Sequence, residues 1–279
     1  MANKNEIVRL TDGIYQIKYY WLGIANVYAY LIIGEERALL IDTCYSITGI
    51  SNYVRQVTSL PVDVVNTHGH FDHIGGNAEF ENIYLSGRDL DTAKEHSDYQ
   101  CLKEMMDNYE RKNLPVRLLL KFKRFREPME RSLHIAPVNY KELPECGYFE
   151  LGNRKVMFIE TPGHTPGSIC LFDEKTGFFF VGDMACEEGV LLGFDYSASV
   201  EEYERSIRKM QKFYKENKGK SIIPSHHKMP AGEDVFERYI SICEDILAGK
   251  LTGSFEDQGL CKGYVVKRDG LQMIYRNAR

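Results

Sequence analysis

The stretch His68–His73, with the sequence HGHFDH, decides how the fold and chemistry of this chain are interpreted. Four of its six residues are potential metal ligands, and the whole chain contains only eight histidines. The stretch closely follows Val62–Val65, a short apolar run typical of a strand buried on both faces. Gly69, Gly75 and Gly76 leave the backbone free to turn side chains into one space. Imidazole and carboxylate groups suit zinc and similar first-row metals, so the pattern predicts a metal site.

Three later positions carry further potential ligands. His164 lies in the Pro- and Gly-rich loop Thr161–Ser168, Asp183 follows an apolar run, and the adjacent pair His226 and His227 follows another. Taken alone, such a histidine is typical of a turn, such an aspartate of a turn or helix cap, and the histidine pair is weak evidence. Because sites in α/β sheets assemble at strand ends, the repeated placement favours one shared site.

Length and composition limit the possible classes of protein. The 279 residues suit one large α/β domain or two small ones, and 43% hydrophobic with 27% charged residues is ordinary for a soluble globular protein. The net charge of -5 lacks the overall basic character of a nucleic-acid binder. No apolar run resembles a signal peptide or a membrane span. The seven scattered cysteines fit reduced thiols, so we expect a cytoplasmic protein. From the charge and the apolar runs, we expect neither a nucleic-acid partner nor a membrane.

Strand-like and helical patterns alternate over most of the chain. The predicted strands are Ile14–Tyr20, Asn26–Ile33, Ala38–Ile41, Val62–Val65, Ile83–Leu85, Lys155–Glu160, Ser168–Asp173, Gly177–Val181 and Lys220–Ile223, followed by a hairpin of Gly263–Lys267 and Leu271–Tyr275. The predicted helices are Ile47–Ser59, one that begins near His73, Cys101–Lys112, Ser199–Asn217 and Asp234–Ala248. We expect one domain over residues 1–279.

The segment from about residue 91 to residue 145 departs from this alternation. Cys101–Lys112 has helical spacing, and Leu118–Arg126 mixes Leu and Phe with Lys and Arg. We interpret the segment as a mainly helical insertion packed over the domain. It is either a solvated amphipathic cover or a lid that narrows the mouth of the active site, which is a common use of such segments.

The order of these motifs resembles that of the metallo-β-lactamase-fold hydrolase superfamily, over most of the chain. Asp42 corresponds to the acidic residue that ends an early strand of the family, and His68–His73 to its HxHxDH signature. His164, Asp183 and His226 follow in the order of the later family ligands. The resemblance is nearest to the glyoxalase II and lactonase-like branches. It implies an α/β fold, a four-layer αββα sandwich with the site at one edge of two sheets.

A binuclear metal centre is also implied by the resemblance. The expected ligands are His68, His70 and His164 for one divalent ion, Asp72, His73 and His226 for the other, and Asp183 as the bridge. His227 competes with His226 for the last position. Asp42 is expected to orient a ligand rather than to bind metal. Zn is the expected metal, with Fe or Mn as alternatives.

The expected reaction is cleavage of an ester, thioester or lactone-type small-molecule substrate by a metal-bridging hydroxide. Metal ions lower the pKa of bound water from about 15.7 to about 7, so no Ser or Cys nucleophile is needed. The resemblance implies that Asp72 acts as the catalytic proton shuttle. Cys44 and Cys186 are interpreted as small buried residues.

Two other activities of the same fold remain open. A mononuclear iron sulfur dioxygenase would use only His68, His164 and Asp183, whereas the full set of seven candidates favours two metals. A phosphodiesterase or nuclease would find cations for a phosphate at Lys121, Lys123, Arg124 and Arg126.

Three further classes are disfavoured. Quorum-sensing lactonases of this fold carry a Tyr where this chain has Cys186, and the sequence alone does not place Tyr196 as a substitute. A β-lactamase acts on targets outside the cytosol, and no export signal is visible. A structural zinc site is commonly Cys-rich, whereas this set of ligands contains no cysteine.

Overall fold

The structure is a computed structural model that describes residues 5–21 and 25–279, apart from the side chains of Trp21 and Ala25. The chain forms two compact units, Met1–Val156 and Met157–Arg279. The expectation of one domain over residues 1–279 stays a prediction. The expectation that no signal peptide is present concerns the start of the chain, of which residues 1–4 lie outside the described residues. Across 5–21 and 25–279, none of the helices is both long and apolar enough to cross a membrane.

A six-stranded sheet runs through the first unit in the order β1-β2-β3-β4-β5-β6. The strands are β1 Glu6–Thr11, β2 Ile14–Trp21, β3 Ala25–Ile33, β4 Ala38–Ile41, β5 Val62–Val65 and β6 Asn82–Tyr84. The strands β1 to β4 pair antiparallel, whereas β4, β5 and β6 pair parallel. Because β4 and β5 are parallel, their carboxyl ends lie at the same edge, where Asp42 and His68 follow.

The rest of the first unit is mainly helical. Its helices are α1 Ile50–Arg55, α2 Phe71–Ile74, α3 Leu90–Glu95, α4 Tyr99–Lys112, α5 Leu114–Leu119 and α6 Lys123–Ser132, with 3-10 turns at Asn77–Glu79 and Gly87–Asp89 and a short strand, β7, at Tyr148–Glu150. The Asp98 carboxylate caps α4 by accepting from the Cys101 N–H at 2.9 Å, and Asn113 caps α5 in the same way. The expected helical character of residues 91–145 is confirmed. Its role as a lid stays a prediction.

Two sheets belong to the second unit. Its strands are β8 Lys155–Glu160, β9 Ile169–Asp173, β10 Phe178–Gly182, β11 Gly189–Leu192, β12 Ser221–Pro224, β13 Ser254–Asp257, β14 Lys262–Arg268 and β15 Leu271–Tyr275. In one sheet the neighbours run β12-β10-β9-β8, and the other has the order β11-β15-β14-β13. β10 is antiparallel to β9 and parallel to β12, so β10 and β12 also end at one edge.

Two amphipathic helices, α7 Val200–Glu216 and α8 Val235–Leu247, pack into the core of the second unit. Ser199 caps α7 by accepting from the Glu202 N–H at 3.2 Å. Tyr203 on α7 and Tyr239 on α8 are both fully buried. Each donates its hydroxyl to a backbone carbonyl, of Met184 and of Cys186 respectively. These helices therefore support the segment that begins with Asp183.

One strand of the second unit lies in residues 187–198, a stretch for which no strand is predicted from the sequence. Gly189–Leu192 is β11, which pairs in parallel with β15 near the end of the chain. The four residues carry little local signal for a strand. Their partner lies far along the sequence, and only the fold brings the two together.

Candidate metal centre

Four of the predicted ligands lie close together in the first unit. His68 and His70 follow β5, whereas Asp72 and His73 belong to α2. The potential ligand atoms of His68 lie within 4.8 Å of those of His70 and of His73, and those of Asp72 and His73 are equally close. All three histidines are buried, while the Asp72 side chain keeps 16% of its surface exposed. This unit thus carries a concentrated set of imidazole donors beside one partly accessible carboxylate.

Asp42 orients two of these histidines. Its carboxylate accepts from the Thr67 N–H and from the Thr67 hydroxyl, each at 2.8 Å, and lies 2.8 Å from His73 Nδ1. The Thr67 hydroxyl also lies 3.0 Å from His68 Nδ1. With the Thr67 hydroxyl proton directed to Asp42, both histidines carry their proton on Nδ1 and present Nε2 as the ligand atom.

The backbone at Asp42 supports the same interpretation. Asp42 has a φ of 61°, in the left-handed region that is uncommon for residues other than glycine. The surrounding hydrogen bonds hold it there, and its own N–H donates to Val65 O at 3.0 Å. Strained conformations of this kind cluster at functional sites, which is consistent with Asp42 as a positioning residue.

Gly69 lies between two of the histidines and touches α3. A Cβ at this position would lie 2.7 Å from the Ala93 backbone nitrogen and 3.0 Å from the Asp89 carbonyl oxygen. The Gly69 N–H donates to the buried Asp89 carboxylate at 2.6 Å. On the other side, the His96 ring stacks on His70 with 4.3 Å between ring centroids. The histidine loop is therefore fixed by close contacts that only glycine permits.

The second unit carries the other three predicted ligands. His164 lies in the loop between β8 and β9, Asp183 follows β10, and His226 follows β12. Asp183 is central, because its two carboxylate oxygens lie 3.7 Å from His164 Nε2 and 3.4 Å from His226 Nε2. The parallel pairing of β10 with β12 brings Asp183 and His226 to one edge of the sheet.

The orientation of His164 is fixed from several sides. Its Nδ1 lies 2.6 Å from the Leu191 carbonyl oxygen on β11, so Nδ1 donates and Nε2 is left as a ligand atom. The Ser197 hydroxyl donates to the His164 carbonyl at 2.9 Å. The Phe194 ring meets the His164 ring edge-on at 5.8 Å. The residues just before α7 thus hold this histidine in place.

His226 and His227 point to different partners. His226 Nε2 lies beside Asp183, whereas His227 Nδ1 lies 3.1 Å from the exposed Glu188 carboxylate. His227 also has a φ of 63°, which turns the backbone sharply after His226. Of the two histidines, His226 therefore lies beside another predicted ligand, and its choice over His227 stays a prediction.

The two sets of donors fit divalent transition-metal ions, each unit taken by itself. Imidazole nitrogens and carboxylates are the ligands that zinc prefers, and the described sets contain both. His73, His68 and His164 each have Nδ1 engaged by a partner that leaves Nε2 for a ligand. Such outer partners are a regular feature of metal-binding histidines.

The neighbouring cysteines are buried, as expected, and are poor nucleophiles. Burial, with a smaller contribution from Asp42 and Asp72, raises the pKa of Cys44 well above its usual value. Burial and the nearby Asp183 do the same to the pKa of Cys186. Since only the thiolate is a strong nucleophile, these thiols do not compete with an activated water.

Comparison with known proteins agrees with this chemistry. The family model of the metallo-beta-lactamase superfamily matches residues 22–85 and 106–216, which is more than half of the chain. The chain belongs to the metallo-β-lactamase superfamily. The matched ranges include six of the seven predicted ligands, and His226 lies beyond them.

Two curated relatives of this superfamily member have low sequence identity and long coverage. The acyl-coenzyme A thioesterase MBLAC2 of Gallus gallus is 26% identical over 85% of this chain and 88% of its own length. The probable polyketide biosynthesis zinc-dependent hydrolase PksB of Bacillus subtilis is 23% identical over 73% of this chain and 75% of its own length. Both names describe hydrolases.

The fold of the superfamily is confirmed by a solved structure. A metallo-beta-lactamase from Pontibacter korlensis covers 86% of this chain and 98% of its own length, with a TM-score of 0.61 and 16% sequence identity. The predicted α/β metallo-β-lactamase fold is therefore correct, and the chain is a metallo-hydrolase, as predicted. The assignment of individual ligands, and of two metal ions, stays a prediction.

Three residues of the site were missed by the sequence analysis. Thr67 links Asp42 to His68, Asp89 accepts from Gly69, and His96 stacks on His70. Thr67 could have been noticed from its place directly before His68. Asp89 and His96 lie far enough along the chain that only the fold brings them to the histidines.

Proposed function

We propose that this metallo-hydrolase is a thioesterase that hydrolyses acyl thioesters of coenzyme A at a binuclear zinc centre. Its ligands would be the set expected from the sequence, namely His68, His70, Asp72, His73, His164, Asp183 and His226. The observation that carries the proposal is the similarity to the acyl-coenzyme A thioesterase, which extends over 85% of this chain. The zinc-dependent hydrolase PksB supports the choice of zinc.

The donor sets support a metal-activated water as the nucleophile. Bound metal ions supply a water of lowered pKa and polarise the substrate carbonyl. Asp42 and Thr67 engage Nδ1 of His73 and of His68, so that Nε2 would be the ligand atom of each ring. Leu191 does the same for His164. Zinc also tolerates a carboxylate ligand, which suits Asp72 and Asp183.

Asp72 is the group best suited to move the proton. It is partly exposed and lies 3.8 Å from His73 Nε2. In the hydrolysis, the water oxygen bonds to the carbonyl carbon and the carbon–sulfur bond breaks. The Asp72 carboxylate takes the proton from the water and delivers it to the leaving sulfur, which departs as the thiol. The products are a carboxylic acid and free coenzyme A.

The test combines metal analysis with a substrate panel on the purified full-length protein. We expect about two equivalents of zinc and faster hydrolysis of acyl-coenzyme A than of a lactone, a β-lactam or a phosphodiester. His70→Ala should lower metal content and reduce kcat/KM by more than about a hundredfold. His134→Ala is a matched control, because His134 is an exposed histidine of the same unit that stacks on Tyr99.

Other outcomes would point to the alternatives. One equivalent of iron, with oxygen uptake in the presence of a persulfide, would replace the hydrolase by the dioxygenase. Preferential cleavage of a phosphodiester would overturn the thioester assignment and leave the metal centre standing. A protein without metal, with no change in metal content or activity in His70→Ala, would contradict the whole proposal.

A further inference from the structure

The helical part of the first unit contains a segment of unusual charge. Residues 111–126, with the sequence RKNLPVRLLLKFKRFR, contain seven Lys or Arg and neither Asp nor Glu, in a chain whose net charge is -5. We call this stretch the basic segment. It includes α5 and the first residues of α6.

Large apolar side chains stand exposed within the basic segment. Leu114, Leu118 and Phe122 are 53%, 48% and 59% exposed, and they are three of the seven exposed large hydrophobic residues found among residues 5–21 and 25–279. The spacing of four residues places Leu114 and Leu118 on one side of α5. Exposed apolar side chains scattered singly are ordinary, but a cluster of this kind marks an interaction site.

Leu114, Leu118 and Phe122 are not needed to pack the basic segment against the core of the unit. Val116 and Leu120, also four residues apart, are the side chains of this region that are buried. The helix therefore carries one apolar side that packs inward and a second that faces solvent. A soluble helix normally needs only the first.

Cations surround the exposed apolar side chains. Arg117, Lys121, Lys123 and Arg124 are exposed, and the Arg124 guanidinium lies 5.8 Å from the Phe122 ring centroid and 4.7 Å from that of Phe125. Glu127 lies 3.2 Å from Lys123, and Glu110 lies 2.8 Å from Arg126. Because only two of the seven cations are in these ion pairs, the basic segment keeps a net positive charge. Such a charge favours binding to a negatively charged partner.

We propose that the basic segment docks the protein on an anionic lipid surface, with Leu114, Leu118 and Phe122 entering the headgroup region. Basic residues beside Leu and Phe are the composition of helices that lie in the membrane interface. Protein interfaces are depleted in lysine, yet Lys121 and Lys123 flank Phe122 directly. Single-stranded nucleic acid binds by stacking on aromatic rings, to which exposed leucines contribute nothing.

This inference departs from the expectation, made from sequence, that no membrane is involved. That expectation came from the absence of a long apolar run, whereas interfacial docking needs only a few exposed side chains and charge. The inference is independent of the thioesterase proposal, because it concerns binding and not hydrolysis.

The test is co-sedimentation of the full-length protein with lipid vesicles. We expect binding to vesicles of equal parts phosphatidylcholine and phosphatidylserine, no binding to phosphatidylcholine alone, and release at high salt. Leu118→Ser and Phe122→Ser should each lower the partition coefficient about tenfold. The double reversal Lys121→Glu with Arg124→Glu should abolish the binding.

Matched controls lie in the second unit. Phe255→Ser removes a ring that is also 59% exposed, on β13, and the pair Arg205→Glu and Lys212→Glu reverses two exposed cations on α7. These variants should bind vesicles as the parent does. Thermal unfolding would show that all variants fold, as their exposed positions lead us to expect.

Equal binding to neutral and anionic vesicles would overturn the proposal. Undiminished vesicle binding in both Phe122→Ser and the double charge reversal would overturn it too. Failure of the parent protein to bind phosphatidylserine vesicles would do the same. A single-stranded oligonucleotide that binds more tightly than the vesicles and competes for the same cations would assign the basic segment to nucleic acid instead.

Discussion

At the scale of single residues, Asp42 is the group on which the hydrogen bonds that orient His68 and His73 converge. Its carboxylate accepts hydrogen bonds from the Thr67 N–H, the Thr67 hydroxyl and His73 Nδ1. It also influences His68 indirectly, because the Thr67 hydroxyl contacts His68 Nδ1. None of these contacts requires Asp42 itself to bind metal. Its influence is therefore on the orientation and basicity of the histidines, which controls metal affinity.

We predict that Asp42→Asn lowers metal affinity about 10–100-fold, because one amide oxygen cannot serve the Thr67 donors and His73 as the carboxylate does. Competition with a colorimetric chelator would measure the change. Asp63→Asn is the matched control, since Asp63 is also buried but pairs with Arg37 at 2.7 Å and with Asn82. That control should lower the free energy of unfolding by about 1–3 kcal/mol and leave metal affinity unaltered. Equal metal affinity in the two variants would contradict the role of Asp42.

Gly69 gives a second prediction at this scale. In Gly69→Ala the new Cβ would meet the Ala93 nitrogen at 2.7 Å, so the histidine loop or α3 must shift. We expect a loss of about 1–3 kcal/mol in the free energy of unfolding together with reduced metal content. Gly87→Ala is the control, because a Cβ there meets nothing within 4 Å. If both variants keep full metal content and stability, the loop is less constrained than its contacts indicate.

At the scale of elements, an ion pair connects the segment before β11 with α8. The Glu187 carboxylate lies 3.0 Å from Arg238 on α8 and accepts from the Gly232 N–H. Burial by itself would raise the pKa of Glu187, but the hydrogen bonds from Gly232 and Arg238 outweigh it and lower the pKa. The ionised form is thus favoured by folding.

The sign of the pH effect follows from that shift. Because the pKa of Glu187 is lower in the folded state, its contribution is complete above the unfolded pKa of about 4.3 and is lost as the pH falls through the folded value. We predict that Glu187→Gln reduces stability at neutral pH and flattens the decline below about pH 4.3. Denaturant unfolding at several pH values measures this, with Glu188→Gln as the control because that side chain is 70% exposed. A parallel decline in Glu187→Gln and the parent would refute the assignment.

Elements with strong local patterns were predicted well. Ala38–Ile41 and Val62–Val65 were expected with the bounds that β4 and β5 have, since a buried strand is a continuous apolar run between turn signals. The expected helix Ile47–Ser59 is shorter in the structure, Ile50–Arg55, because Gly49 has a left-handed conformation directly before it. β1 and β13 were missed, since all four residues of β13 are exposed, those of β1 are at most partly buried, and neither sequence shows a clear alternation.

The candidate site also combines a part that the sequence predicts with a part that only the structure reveals. The HxHxDH stretch is local and visible in the sequence, whereas the partners that orient its rings come from distant segments. Asp42, which contacts His73, lies before the stretch, and Asp89, which accepts from the Gly69 N–H, lies after it. In the second unit, His164 is oriented by Leu191, on a strand that was not predicted from the sequence. Periodicity reports which residues form an element, but not which side chains from other elements will meet them.

At the scale of the whole molecule, metal and stability should be linked. A metal ion that binds the folded but not the unfolded chain adds about 2.7 kcal/mol when free metal is a hundredfold above its Kd. We therefore predict that removal of metal with a chelator lowers the melting temperature and abolishes hydrolysis. Zinc should restore both, whereas calcium should not, since calcium prefers oxygen ligands. Identical melting of the chelated and untreated protein would argue against a metal that stabilises the fold.

The parallel pairing of β11 with β15 has a consequence for how the protein is made. Leu191, whose carbonyl orients His164, lies opposite Ile274 in that pair. The ribosome releases β15 long after it has made every candidate ligand, so this part of the site is assembled late in synthesis. A nonsense codon just before Leu271 would yield a chain that keeps the entire predicted ligand set yet lacks the strand beside β11. Such a product would keep the family signature in its sequence while losing the support that positions one of its histidines.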